Sequence, residues 1–246
     1  MEKPIGKPME NELHYKLKTL KKMESRKGSF TMSYFLPPLS SYTDKEGKTV
    51  GGSFQPCCSI SLQQLYQFIT SSQKLAGITR QVREGGPCCE LARESLPFIC
   101  PNGVFSDRRT STLLKPSGLV FVDITGLSTP DEARALRDTL FTDPYLRPAI
   151  SFLTPDGYGV NLLVPYDANP YWDVQNNITY NLSCANEYVQ ALYSPHPENE
   201  PLPVNHRMQD IARPCLLSHD AEAKCILQPS EPTENQEPNK QEQYEK

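Results

Sequence analysis

Between residues 119 and 218 the hydrophobic pattern switches repeatedly between a strand-like and a helix-like period, and the order of those switches restricts the fold more than any other feature. Leu119–Asp123 is a short apolar run that reads as a strand. Thr129-Pro130-Asp131-Glu132 then supplies an N-cap, a proline at the first helical position and a glutamate at the third. The helix it opens brings Ala133, Leu136 and Leu140 to one face. Ala149–Leu153 reads as a second strand and Val160–Val164 as a third, joined by Thr154-Pro-Asp-Gly-Tyr-Gly159 with its Asp-Gly turn signal. Residues 172–193 place Val174, Ile178, Leu182, Ala185, Val189 and Leu192 near one helical face, and Arg213–Ser218 reads as a fourth strand.

The order is β-α-β-β-α-β, so the expected fold is α/β of the α+β kind, with a split βαβ (ferredoxin-like, RRM-like) core. Right-handed crossovers put the third strand antiparallel beside the first and the fourth on the first strand's other side. The carboxyl end of strand one, with Asp123 and Thr125, then meets Gly157, Tyr158, Gly159 and Asn161 and the stretch from Asn205 to Arg213. Segments distant in sequence converge on one sheet edge, which is how a site is built.

Upstream lies an N-terminal α/β extension. Ser33–Leu36 reads as a strand, and Leu62, Leu65, Tyr66 and Ile69 recur at helical spacing behind a Ser61–Gln64 capping box. Three regions follow: a basic leader (1–29), a folded body (30–226) and a polar tail (227–246) too poor in apolar side chains to fold. Residues 1–28 hold eight Lys/Arg against four Glu, a local charge of +4.

The net charge of −4 excludes a globally basic nucleic-acid coat but leaves room for a local basic groove. The first residues carry no apolar signal-peptide core, and no stretch approaches the roughly 18 apolar residues of a membrane helix, so the expected location is cytoplasmic, without membrane contact. Thiols stay reduced there. The eight cysteines include no Cys-x-x-Cys and are expected to be free and mostly buried, with the adjacent pairs Cys57-Cys58 and Cys88-Cys89 pointing apart in extended chain. The sequons at Asn177 and Asn181 are read as chance matches. Hydrolase and ATPase readings have no Gly-x-Ser-x-Gly, His-Glu-x-x-His or Walker A motif to rest on.

Four motifs carry a resemblance: Leu96-Pro-Phe-Ile-Cys-Pro-Asn-Gly-Val-Phe105, Ser117-Gly-Leu-Val-Phe-Val-Asp-Ile124, Thr154-Pro-Asp-Gly-Tyr-Gly-Val-Asn161 and Asp210-Ile-Ala-Arg-Pro-Cys-Leu-Leu-Ser-His-Asp220. In this order and spacing the chain, from about residue 58 to residue 221, resembles the VirE N-terminal-type (BT4734-like) domain of bacterial mobile elements, grouped with the archaeo-eukaryotic primase, or primase-polymerase, superfamily. The resemblance implies two-metal nucleotidyl transfer, in which clustered carboxylates hold Mg²⁺ or Mn²⁺ against the triphosphate. It also implies single-stranded DNA and nucleotides as partners, and a helicase-like partner supplied in trans.

The chain departs from that pattern. The family's first strand ends in Asp-x-Asp; here Asp123 is followed by Thr125. Asn161 stands where the family has a lysine, and Asn205 where it has a third carboxylate, with Asp210 the nearest substitute. One carboxylate localises Mg²⁺ poorly, because that ion keeps its own waters unless several anionic oxygens replace them. The expected function is therefore a primase-polymerase-like nucleic-acid- or nucleotide-binding domain with a degraded two-metal site, serving DNA replication or mobilisation of a mobile element. Its catalytic remnant would be Asp123 with Asp210, any metal held at Asp123 with Thr125, Asn205 or Asp220 nearby. Its binding residues would be Gly157, Tyr158, Gly159, Asn161, Arg213 and Ser218, with Tyr158 stacking on a base. Two alternatives stand beside it: an active primase or nucleotidyltransferase using Asp123 with Asp210 or Asp220, and a non-enzymatic protein-interaction module. For Arg213 the alternative role is an ion pair with Asp210 or Asp220. For His206 and His219 a surface or hydrogen-bonded role is preferred to metal ligation.

Overall fold

Strand β8 (Leu119–Ile124) shows why an unbroken apolar run makes a strand here. Val120, Val122 and Ile124 enter one hydrophobic cluster, while Leu119 and Phe121 enter another on the opposite face. A two-residue period with apolar side chains at both phases is the signature of a strand covered on both sides. Asp123 shares the phase of Phe121, at the end where that second cluster gives way to solvent.

The computed structural model describes residues 30–43, 47, 49–194, 204 and 210–227. In chain order the elements are β1 (Thr31–Phe35), β2 (Tyr42–Thr43), β3 (Thr49–Val50), β4 (Cys58–Ser61), α1 (Leu62–Ser71), α2 (Gln73–Glu84), α3 (Cys89–Glu94), β5 (Phe98–Cys100), β6 (Gly103–Phe105), β7 (Leu113–Pro116), β8, α4 (Pro130–Phe141), β9 (Ile150–Leu153), β10 (Val160–Pro165), α5 (Val174–Tyr193), β11 (Cys215–Leu216) and β12 (Lys224–Cys225). They form a mixed α+β fold with two four-stranded antiparallel sheets, ordered β11-β5-β1-β4 and β12-β9-β10-β8, and two small hairpins.

Helices α4 and α5 cover one face of the β8 sheet through Ala133, Leu140, Ile178, Leu182, Ala185 and Val189. The other face packs with α1 and α2, and with Met32 and Ile99 of the first sheet, through Phe121, Ile150, Phe152 and Leu163. The helix starts follow from their caps. Ser61 and Gln64 close a reciprocal capping box on α1, Thr129 accepts the Glu132 amide at α4, and Asp173 accepts the Asn176 amide at α5.

The β-α-β-β-α portion of the expected core is present, with β10 antiparallel to β8 in the register Asp123↔Asn161. The fourth strand is a correction. Of Arg213–Ser218 only Cys215–Leu216 is a strand, and it pairs with Ile99 and Phe98 of the first sheet, not with β8. Pro214 has no amide to donate and the Arg213 amide is bound to the Asp210 carbonyl at 3.2 Å, so pairing starts only at Cys215, and the Leu217 amide goes to the Pro97 carbonyl at 2.9 Å. The β8 sheet is extended instead at its far edge by β12, where Lys224 and Cys225 face Ser151 and Ile150.

The cysteines are free, as expected, but only Cys100, Cys184 and Cys215 are buried. Cys57 sits in a bend rather than extended chain, and burial together with the Cys57 thiol beside it raises the pKa of Cys58. Both sequon asparagines are buried, Asn177 bonding to main-chain atoms of residues 169–173. No helix among the described residues is long and apolar enough to cross a membrane. The expected leader, and the tail beyond residue 227, lie outside the described residues.

Candidate functional site

The β9–β10 turn is built by its sequence. Asp156 Oδ1 accepts both the Thr154 hydroxyl at 2.6 Å and the Tyr158 amide at 3.0 Å, so one side chain pins both ends of the reversal. Gly157 takes φ +82°, a left-handed conformation that favours glycine. Gly159 is required for a different reason: a Cβ there would stand 2.2 Å from the Ile124 carbonyl oxygen. That approach, with the Leu127 amide donating to the Tyr158 carbonyl at 2.9 Å, presses the turn against the chain leaving β8. Tyr158 is left 43% exposed at the tip.

At this end of β8, Asp123 lies opposite Asn161, which is buried. Arg213 Nη2 donates to Asp123 Oδ2 at 2.9 Å, and its guanidinium carbon stands 4.5 Å from the centre of the Phe121 ring. The segment carrying Arg213 is held from below. The Cys100 thiol donates to the Ala212 carbonyl at 3.1 Å, Asn102 Nδ2 donates to the Ile211 carbonyl at 2.9 Å, and Asp210 Oδ1 accepts the Ala212 amide at 3.1 Å. Cys215 lies against the pair; burial, with the Asp123 charge second, pushes its thiol pKa well up and keeps it neutral.

Arg213 and Asp123 were expected as separate site residues and are instead each other's partner. Arg213 pairs with neither Asp210 nor Asp220, the acidic residues nearest in sequence. Asp220 belongs elsewhere. It accepts Arg137 Nη1 at 2.9 and 3.0 Å, the Leu153 amide at 3.0 Å and the Glu222 amide at 3.1 Å, so its oxygens are committed to structure. Ser218 is also structural, fully buried with its hydroxyl donating to the Leu153 carbonyl. Thr125 is exposed, as is Asp210. Asn205 and His206 lie outside the described residues. His219 uses its amide on the Thr79 hydroxyl at 2.8 Å, while its buried Nδ1 has no partner among the described residues.

A two-metal centre needs several anionic oxygens converging on one point. Among the described residues no three His, Cys, Asp or Glu side chains converge so as to hold a metal ion, and a guanidinium occupies the Asp123 carboxylate. The described residues do not fit a Mg²⁺ or Mn²⁺ pair.

Two arginines escaped the sequence reading. Arg137, on the apolar face of α4 between Ala133 and Leu140, is 1% exposed; its position in that stripe was the available signal. Arg83, on α2, donates from Nε to the Pro155 carbonyl at 3.3 Å and from Nη2 to the carbonyls of Thr154 and His219 at 3.5 and 3.4 Å. No local pattern announces it, because its partners are more than 70 residues away.

Fold and site together describe a mixed α+β domain with a carboxylate–guanidinium pair and a glycine-bounded turn at one sheet end. Residues 92–224 match the family of the BT4734-like, N-terminal domain, and the chain belongs to it. No curated protein and no solved structure matches the chain.

Proposed function

We propose that this is a nucleic-acid- or nucleotide-binding domain of VirE N-terminal, primase-polymerase descent, in which an arginine has taken the place of the metal. Its setting would be replication or mobilisation of a bacterial mobile element, with a helicase-like partner in trans. The observation that carries the reading is the Asp123–Arg213 bond: the strand-end carboxylate that would ligate a cation holds a guanidinium at 2.9 Å. A fixed cation at that point can meet a phosphate without a metal. The aromatic, solvent-facing Tyr158, on the turn that packs against the chain leaving β8, supplies a stacking surface that any base fits. Supporting the descent are the four ordered motifs and the convergence of β8, the β9–β10 turn and the 210–213 segment on one corner.

The test is fluorescence anisotropy of single-stranded DNA at two salt concentrations, with and without Mg²⁺, using Arg213→Ala and Asp123→Asn. Salt-sensitive binding is expected, unchanged by Mg²⁺ and weakened by Arg213→Ala. Asp123→Asn keeps a hydrogen-bond acceptor but frees the guanidinium's charge, so binding should tighten about threefold or more. Opposite signs from the two partners cannot come from simple unfolding. Binding that Mg²⁺ strengthens and Asp123→Asn abolishes would restore the active nucleotidyltransferase.

A second reading has an observation of its own. Tyr171 (92% exposed), Trp172, Val174 and Tyr180 form an apolar patch at the start of α5, with Trp172 and Tyr180 edge to face at 4.9 Å. Asp167 and Asp173 flank it in sequence, a charge that repels phosphate and suits a protein surface. No DNA binding at low salt would leave this interaction-module reading.

A further inference from the structure

Arg83, an exposed residue of α2, is held differently from the two buried arginines. Arg137 and Arg213 each hold a carboxylate at hydrogen-bond distance. Arg83 has no carboxylate within ion-pair distance among the described residues. The three hydrogen bonds it makes all end on main-chain carbonyls, of Thr154, Pro155 and His219. Those bonds use Nε and Nη2, and Nη1 makes none among the described residues. Asp156 and Asp220 lie close enough to favour its charged form, but Asp156 Oδ1 is committed to Thr154 and Tyr158, and Asp220 to Arg137. Desolvation lowers the Arg83 pKa, with Asp220 and Asp156 opposing it and Arg134 adding to it; at neutral pH the group remains cationic.

The position also matters. A Cβ on Gly157 would lie 3.4 Å from Arg83 Nε, so the guanidinium runs along the side of the turn that ends in Tyr158. Carbonyl oxygens can orient a guanidinium without neutralising it. The result is a cation held by carbonyls, with no carboxylate in ion-pair contact and Nη1 open among the described residues, beside Gly157, whose neighbour in sequence is the exposed Tyr158. Across the same junction, buried His219 Nδ1 has no partner among the described residues.

We propose that Arg83 Nη1 and Tyr158 form a phosphate-and-base subsite on the β9–β10 turn, the guanidinium taking a phosphate and the ring stacking on the adjoining base. This rests on the nucleic-acid reading above and adds a contact outside the Asp123–Arg213 corner. Arg83 both binds the phosphate and fixes the turn that presents Tyr158. Gly157 leaves room for the guanidinium, and Asp156 sets the turn while its charge favours the guanidinium's charged form.

The experiment measures anisotropy of a fluorescein-labelled oligothymidylate across a salt series for the wild-type chain, Arg83→Gln, Arg83→Lys and Tyr158→Leu. Thymidine monophosphate and inorganic phosphate serve as competitors. Removing one phosphate contact should lower the slope of log K against log salt by about 0.7 in Arg83→Gln, with about fivefold weaker binding at low salt. Arg83→Lys should restore the slope. Tyr158→Leu should weaken binding about tenfold with the slope unchanged. A loss of affinity with unchanged slope in Arg83→Gln would mean that Arg83 only supports the turn, and would overturn the subsite. Wild-type-like binding by Arg83→Gln and Tyr158→Leu, with Arg213→Ala still impaired, would overturn it while leaving the proposed function standing. Failure of the wild-type chain to bind DNA would remove both. Displacement by thymidine monophosphate but not by phosphate alone supports a free nucleotide as the source of the phosphate; resistance to both supports a strand.

Discussion

Two arginine–carboxylate pairs tie the C-terminal segment to the β8 layer, one to strand β8 and one to helix α4 packed on it, and they differ in how completely they are enclosed. Arg137–Asp220 is sealed, its side chains 2% and 5% exposed. Arg213–Asp123 stands at the rim, 7% and 17% exposed. In the sealed pair the carboxylate accepts from a guanidinium and two backbone amides, and the arginine reaches Asp138 and Glu222 as well. Burial lowers the Arg137 pKa, but the bonds to Asp138 and Asp220 outweigh it and the net shift is upward. Such a pair can only hold the chain together. The rim pair has the same charges, with the Phe121 ring on one side, and is more open to solvent than the sealed pair. Enclosure, not residue type, separates the structural pair from the candidate site.

The largest effect that would break this contrast lies in the sealed pair. Asp220→Ala leaves a buried guanidinium without its main partner and the Leu153 amide without an acceptor, and should cost about 3–5 kcal/mol. Urea unfolding should show a lower midpoint with little change in slope. A loss below about 1 kcal/mol would mean that water reaches Arg137 and the pair is not sealed. Gly159→Ala comes next, at about 2 kcal/mol, because its Cβ would meet the backbone oxygen of Ile124, which cannot move without shifting β8 against β10. The same unfolding measurement checks it. Binding should fall with stability, since the clash displaces the turn carrying Tyr158.

The sealed pair and the rim pair were not equally legible in the sequence. Asp123, the glycine turn and the helix caps were readable because each is a local pattern: a run ending in a charge, an Asp-Gly reversal, a Thr-Pro-Asp-Glu start. The fate of 213–218 was not readable. Its apolar residues suit a strand in either sheet, and what decides is the lack of an amide on Pro214 and the availability of Phe98 and Ile99. Arg137, Arg83 and Asp220 were missed or misassigned because a charge meets its partner across 67 to 136 residues, and no window reports that.

The floor of the rim pair gives a pH test. Burial raises the Cys100 thiol from its ordinary 9.0 to about 12. Between those values the unfolded chain loses the proton and the folded chain keeps it, so the contribution is whole below about pH 9 and is lost as pH rises toward 12. The slope approaches about 1.4 kcal/mol per pH unit for this one group. Cys215, Tyr188 and Tyr193 are shifted upward too and act with the same sign. Stability measured from pH 8 to 11 should fall, and Cys100→Ala should flatten the fall. An unchanged slope in that variant would mean that the 210–213 turn opens to water before the thiol titrates.

The smallest expected effect bears most directly on the comparison. Asp123→Asn removes a charge but not an acceptor from a pair that solvent reaches, so its cost should be about 1 kcal/mol at low salt. Raising NaCl to about 0.5 M shortens the screening length to a few ångströms and should erase most of that difference. Asp220→Asn measured in parallel should cost more and respond little to salt, because its ions sit beyond the reach of the electrolyte. If both variants respond to salt alike, enclosure does not distinguish the two pairs, and Arg213 would be as fixed as Arg137. If they differ as expected, the Asp123–Arg213 pair is the one of the two that solvent and electrolyte reach, and its loss costs the fold less.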